Sequence, residues 1–341
     1  MRGALIRRML APMARRAGYA ARLRREQAYY AERTQVHDLP PIFHYWSNRY
    51  LRPKLETFGF AHPDAFFAHY VGRALKAGGA GGGSVVSIGA GNCDTEIRLA
   101  QALAADGCAG FTIECIDLNP RMLERGAADA KAAGVFDSMR FTQADFNAWT
   151  PARRYDAVVA NQSLHHVLAL EHLLDAIGAA LSPHGLFVTS DMIGRNGHQR
   201  WPEARAIVDE FWAELPRAYR RNLQLGRLEE TFLDWDCAVD GFEGIRAQDV
   251  LPLLIERFAF DLFIAFGNVI DPFIDRSFGH HFDANNARDR DFIDRVHARD
   301  EAEIAAGRLT PTHMMAVMRV GGAGAPLTVG GLTPERCVRR Q

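Results

Sequence analysis

Residues 85–100, VVSIGAGNCDTEIRLA, restrict the fold of this chain more than any other stretch. A short apolar run ends on Gly89 and Gly91, and apolar residues return at helical spacing from Asp94 onward. A buried strand that turns into a helix over two glycines opens a nucleotide-binding βα unit. The turn departs from the GxGxxG form, because its third position holds Asp94. A third glycine lets the helix settle onto the strand beneath a pyrophosphate, whereas an aspartate at a helix N-terminus repels one. The turn therefore suits a polar ligand without phosphates. Taken alone, Gly-x-Gly is equally a plain tight turn.

The pattern that follows alternates. SVVSIGA, FTIECIDLN, MRFTQADF, YDAVVANQSL and LFVTSDMI read as strands. Between them CDTEIRLAQALAA, PRMLERGAADAKAAG and ALEHLLDAIGAALSPHG read as helices, the last ending at Gly185. Alternation of this kind predicts an α/β fold, a mostly parallel sheet with helices on both faces. After Asp191 the pattern breaks: a helix starts near Pro202, and a mixed, aromatic-bearing segment runs from Arg217 to Phe258. A sixth strand (FDLFIAFGNVID), a charged helix and a last strand, His313–Val320, complete the chain. The expected organisation is an N-terminal helical extension over 1–77 and, after a glycine-rich joint, a core over 84–193. A cap insertion over 194–258 separates strands five and six; the rest of the core spans 259–322 and a tail 323–341. The insertion is expected over the carboxyl edge of the sheet, where ligands bind in such folds.

Two acids sharpen the glycine turn. Asp117 ends the second strand, where an acid accepts hydrogen bonds from both hydroxyls of a ribose. Asp145 ends the third, placed to accept from the exocyclic amine of adenine, with the Phe146 N–H facing the ring and Leu118 packing on it. Each aspartate taken singly is as well explained as a loop cap. The three features at the ends of successive strands describe an adenosine site with no phosphate cradle.

The order SIGAGNCDTE, CIDLNP, QADFNAW, NQSLHHV and LSPHGLFVTSD resembles the class I S-adenosylmethionine-dependent methyltransferases, strongly over Ser84–Asp191 and more loosely over Phe260–Val320. The resemblance implies a Rossmann-like, seven-stranded sheet whose last strand, HMMAVM, is antiparallel, and S-adenosylmethionine as cofactor. It also implies that Gly89, Ala90 and Gly91 face the methionine part, Asp117 the ribose and Asp145 the adenine amine, with Asn161 where the methyl is presented. Two positions depart from the family pattern: Ser87 stands where an acid is usual and Cys93 where a small residue is. Asn92, or the aromatic stretch Tyr45–Tyr50, is then a candidate grip for the amino-acid end.

Methyl transfer is an in-line displacement that needs alignment and exclusion of water. A hydroxyl or amine acceptor is helped by a base, and imidazole titrates in the right range. His165 and His166 follow the fourth strand and are the candidate bases; the alternative is a turn cap and a packing residue. Asp191, Arg195, His198 and Arg200 cluster after the fifth strand as candidate acceptor-binding groups, or as a polar loop capping the Pro202 helix. The aromatics of the insertion either line an acceptor pocket or are plain core. No metal is expected: His280 and His281 lack acids at ligand spacing, and the five cysteines form no CxxC pair.

The cysteine usage also fits a reducing cytoplasm. The net charge of −1 conceals eight arginines and no acid in residues 1–25, which leaves −9 on the remainder. A mildly acidic body speaks against a nucleic-acid partner. Leu5, Ile6, Met9, Leu10 and Met13 share a helix face opposite most of those arginines, a helix suited to packing on the body or to contact with a membrane surface. A homo-oligomer is compatible with everything above. The reading is methyl transfer to an oxygen, nitrogen or carbon atom of a small acceptor. Its rivals are an inactive methyltransferase-like scaffold and a nicotinamide oxidoreductase; Asp94 and Asp145 count against the second.

Overall fold

Strand β1 (Ser84–Ile88) pairs in parallel with β2 (Thr112–Asp117) on one side and β4 (Tyr155–Asn161) on the other. The structure is a computed structural model and describes residues 18–25, 27–28, 39–79, 82–239, 241–322 and 324–339. The expectations for residues 1–17, the apolar helix face and its membrane contact, lie outside the described residues. No described helix is long and apolar enough to cross a membrane.

Near-continuous apolar strands require cover on both faces. Val85, Ala157 and Val159 join one core cluster, while Val86, Val158 and Ala160 join the other, as the two-residue period demands. The first face is covered by α1 (Pro63–Ala77), α2 (Asp94–Ala105) and α3 (Pro120–Ala132), through residues such as Val71, Leu103 and Leu123. The second is covered by α4 (Leu170–Ala180), through Leu173 and Ile177. β3 (Met139–Gln143) extends the sheet beyond β2, and β5 (Leu181–Met192) lies beyond β4.

Within residues 194–258 the chain forms α5 (Pro202–Glu214), a two-residue ribbon of β6 (Arg221–Asn222) and β7 (Arg227–Leu228), and α6 (Ala247–Arg257). The helix α6 packs on the second face with α4. It lies within the segment read as mixed from Arg217 to Phe258 and carries Pro252 inside it. The core resumes with β8 (Ala259–Phe266), α7 (Ala287–Ala305) and β9 (His313–Arg319), and β9 runs antiparallel to both β5 and β8.

Two sequence expectations are corrected. The fourth-strand helix stops at Ala180, not Gly185, because Leu181 already pairs with Tyr155 and Pro183 has no N–H to continue a helix. The sheet has eight strands rather than seven, ordered β10-β8-β9-β5-β4-β1-β2-β3. The additional one, β10 (Leu327–Thr328), comes from the stretch read as a tail and pairs in parallel with β8. The chain leaves β1 toward β2 and β3 first, and later fills β4 and β5 on the other side. That reversal makes a topological switch point at the carboxyl ends of β1 and β4, where Gly89 and Asn161 emerge, and open α/β sheets bind ligands in the crevice at such a point.

Candidate active site

The glycine turn is built by its own backbone and by Asp117. Gly89 (φ +73°) and Gly91 (φ +56°) adopt the left-handed conformation that glycine reaches without strain. A Cβ on Gly89 would lie 2.5 Å from Ser163 Cβ, so only glycine fits there. Ser163 in turn donates its hydroxyl to the Ile88 carbonyl at 2.7 Å. The Asp117 carboxylate accepts from Gly91 N at 2.9 Å and from Asn119 N at 2.8 Å, which ties the first βα turn to the second. Asn119 then caps α3 through its side chain. Cys93 is left-handed and fully buried, and a Cβ on Gly126 would meet its sulfur at 2.8 Å; the residue at the third small position is part of the α2–α3 contact.

The acid that the family pattern places at residue 87 arrives from elsewhere. Ser87 Oγ donates to Glu96 Oε1 at 2.6 Å, and Glu96 is buried one turn into α2. Its other oxygen has no hydrogen-bond partner among the described residues. Burial pushes the Glu96 carboxyl up to about 7, against the opposing hydrogen bond from Ser87. Asn92, the candidate grip, accepts from Arg125 Nε at 3.1 Å. The Tyr45–Tyr50 stretch is not brought to the turn: Tyr45 donates to Asp294, Trp46 donates to His297, and Tyr50 stacks on His297, all on α7.

Glu96 has a consequence for stability. Asp300 resembles it, buried, with its pKa raised to about 7 by burial and by nearby Asp271. A folded-state carboxyl titrating near 7 keeps its proton where the unfolded one has released it, so the folded state binds more protons between about pH 4 and 7. Stability is therefore expected to fall as pH rises through that window, by about 3 kcal/mol for Glu96 alone. Urea unfolding at pH 5 and pH 8 checks this; Glu96→Gln should reduce the difference, and an unchanged difference refutes the assignment.

Asp145 is covered by the first described helix, residues 18–25. Tyr19 donates its hydroxyl to Asp145 Oδ2 at 2.6 Å and accepts from Asn147 Nδ2 at 2.9 Å. Its ring packs on Phe242 with centroids 5.6 Å apart. Gln27 donates to the Leu118 carbonyl, and Arg22 donates to the carbonyls of Ala238 and Gly241. The N-terminal segment thus bridges the ends of β2 and β3 to Ala238, Gly241 and Phe242. Phe146 is buried below Asp145 and Leu118 is partly buried beside it.

The most densely charged part of the edge surrounds His165. Its Nδ1 lies 2.6 Å from Asp191 Oδ1, and both side chains are buried. Asp191 also accepts from the backbone N–H of Ser163, Leu164, His165 and Met192, so the ends of β4 and β5 share one carboxylate. On its far side, His165 Nε2 is 3.3 Å from Glu243 Oε1. That same oxygen is 2.7 Å from His198 Nε2, and His166 Nε2 stands 3.5 Å from Glu243 Oε2. Burial alone would depress His165, but the Asp191 and Glu243 carboxylates outweigh it and hold its pKa up to about 10. Burial lowers His198, with Glu243 opposing.

The remaining candidates divide. Asn161 donates to Thr95 Oγ1 at 3.3 Å, at the junction of β4 and α2. Arg200, read as an acceptor-binding group, is instead buried, its guanidinium held by Asp271, the Asn268 carbonyl and the His198 carbonyl. Arg195 donates to the Arg200 carbonyl and stacks over Trp201. Asp191 stands behind His165 rather than facing the crevice. Both corrections have one cause: charged groups this buried must be paired within the protein. Phe211, Trp212 and Phe232 are buried against Phe273, Phe292 and Phe278, which makes them core. Glu96, Glu243 and Tyr19 escaped sequence reasoning; Glu96 alone had a local signal, since it faces back toward β1 from the first turn of α2.

A family model described as a methyltransferase domain matches residues 60–243. No curated protein matches the chain. Among solved structures, the DhpI–SAH complex aligns over 89% of this chain and 99% of its own, at 16% identity and a TM-score of 0.41. An S-adenosylmethionine-dependent methyltransferase from Geobacter sulfurreducens, in complex with S-adenosyl-L-homocysteine, aligns over 76% and 92% at 12% identity and a TM-score of 0.42.

Proposed function

Because the chain belongs to the methyltransferase-domain family and is an S-adenosylmethionine-dependent methyltransferase, we propose that it methylates a hydroxyl or amine of a small acceptor seated at the carboxyl edge of β4 and β5. The observation that carries this reading is a shared wall. Gly89 lies against Ser163, and Ser163 leads directly into the His165–His166 pair. The turn that would hold the donor and the groups that would handle the acceptor's proton are therefore adjacent.

The residues present fit the donor. The Gly89–Gly91 turn offers backbone where a side chain would fill the space, and acids end β2 and β3. In this reading Gly89, Ala90 and Gly91 face the amino-acid part, Asp117 takes the ribose hydroxyls and Asp145 the adenine amine. Glu96 supplies beside Ser87 the carboxyl that residue 87 lacks. Tyr19, bonded to Asp145, closes the adenine end against water. S-adenosylmethionine supplies a methyl group made electrophilic by its sulfonium. The chain has to align the acceptor and remove its proton.

His165 is a poor base here. With its pKa held near 10 it already carries a proton at neutral pH. His166, next to it and 17% exposed at its side chain, is the base in this reading. As the acceptor gains the methyl, its proton passes to His166 and then to water. The His165–Asp191 pair keeps the loop that bears His166 in place.

Calorimetry with S-adenosyl-L-homocysteine tests the donor site. Asp117→Ala is expected to weaken binding about 100-fold, the scale of one or two lost hydrogen bonds to a charged group. An unchanged affinity would remove Asp117 from the site, and binding of NADH in place of the thioether would refute the donor.

A further inference from the structure

The ring nitrogens of His165 and His198 and a carboxylate oxygen of Glu243 all lie within 4.8 Å of one another. We propose that these three residues bind a divalent transition-metal ion of the zinc type. The set is two imidazoles and one carboxylate, the ligand composition of open zinc sites, in which a fourth position is left for water or substrate. An ion bonded at about 2.0–2.2 Å in tetrahedral geometry needs its ligand atoms about 3.4 Å apart. Here His165 Nε2 and His198 Nε2 stand 3.3 Å and 2.7 Å from Glu243 Oε1, so small side-chain rotations suffice.

Two features outside the set point the same way. His165 presents Nε2 to the cluster because its Nδ1 is held at 2.6 Å by the buried Asp191, and an ion bound there would displace the Nε2 proton that the metal-free ring carries. A carboxylate behind a histidine, fixing its tautomer and ring plane, is the usual support of a metal-bound imidazole. Asp191 is itself fixed by four backbone N–H groups. The other two ligands are clamped together: Gly197 N donates to Gly244 O at 2.8 Å, and a Cβ on Gly244 would lie 2.9 Å from His198 Cε1. His198 itself holds φ +55°, a left-handed conformation unusual for a residue with a side chain. The expectation of no metal came from spacing along the chain. Spacing is uninformative here because the ligands come from the loop after β4, the loop after β5 and the segment before α6.

An acceptor hydroxyl at the open position would be polarised by the ion. This last role rests on the acceptor reading above; ion binding does not.

The full-length chain, stripped with a chelator and dialysed, is titrated with Zn²⁺ and with Co²⁺. Bound metal is counted by elemental analysis, and the Co²⁺ absorption spectrum reports the ligand field. One ion per chain with a tetrahedral Co²⁺ spectrum is expected. His198→Ala and Glu243→Gln should each weaken binding at least 100-fold, and Asp191→Asn about 10–100-fold. Failure of the unaltered chain to bind either ion at about 100 μM overturns the site, whatever the variants do. So does full binding by both His198→Ala and Glu243→Gln. Calorimetry with S-adenosyl-L-homocysteine on the stripped chain keeps the two proposals apart: ion binding without thioether binding upholds the metal site and refutes the donor reading.

Discussion

Asp191→Ala is expected to lower the stability of the fold by about 3–5 kcal/mol, the cost of removing one member of a buried ion pair. Asp191 is fully buried, and its carboxylate faces the His165 ring and four backbone N–H groups at the ends of β4 and β5. Alanine leaves a buried imidazole without one of its two carboxylate partners and several donors without an acceptor, each costly away from water. Urea denaturation should show a lower midpoint with an unchanged slope, because the same surface is exposed on unfolding. Asp191→Asn keeps the shape but loses the charge and part of the acceptor capacity, so it should fall between. A midpoint shift below about 1 kcal/mol for the alanine variant would mean that the pair contributes little to the fold.

His166→Ala is expected to slow methyl transfer about 10²–10⁴-fold in single turnover, the usual contribution of a positioned base. The effect should appear in the chemical step, with affinity for S-adenosyl-L-homocysteine unchanged, since His166 belongs to the acceptor side of the crevice in the proposed arrangement. Raising the pH should partly restore the rate for a hydroxyl acceptor, because the acceptor then ionises without help. His165→Ala, by contrast, should cost both rate and stability, because His165 is joined to buried Asp191. Equal single-turnover rates for His166→Ala and the unaltered chain across the pH range would exclude His166 as the base.

Much of the architecture was readable before any coordinates. The apolar runs at 84–88, 112–117 and 155–161 are strands with both faces buried, and their order with the intervening helices allows few arrangements. The glycine turn was readable for a steric reason: Gly89 and Gly91 hold backbone angles that other residues resist, so the residue type carries the conformation. Helix α6 forms despite Pro252 inside it because Val250, Leu251 and Leu254 pack into the core. The eighth strand is only two residues long, and so short a pairing leaves no periodic trace.

The site divides along the same line. Residues contributed by a single βα turn could be named from the sequence, because strand, turn and helix place them within a few residues of each other. Asp117 and its backbone donor Asn119 are of this kind. Which charges meet across turns could not be read. The cluster of His165, His198 and Glu243 joins three distant segments, the carboxyl beside Ser87 comes from α2, and Tyr19 reaches Asp145 across 126 residues. Sequence alone thus determined the sheet, its glycine turn and the family, because local sterics and hydrophobic period act over short spans. Only the tertiary structure decided which buried charges are paired, because that depends on distances of a few ångströms between residues far apart in the chain.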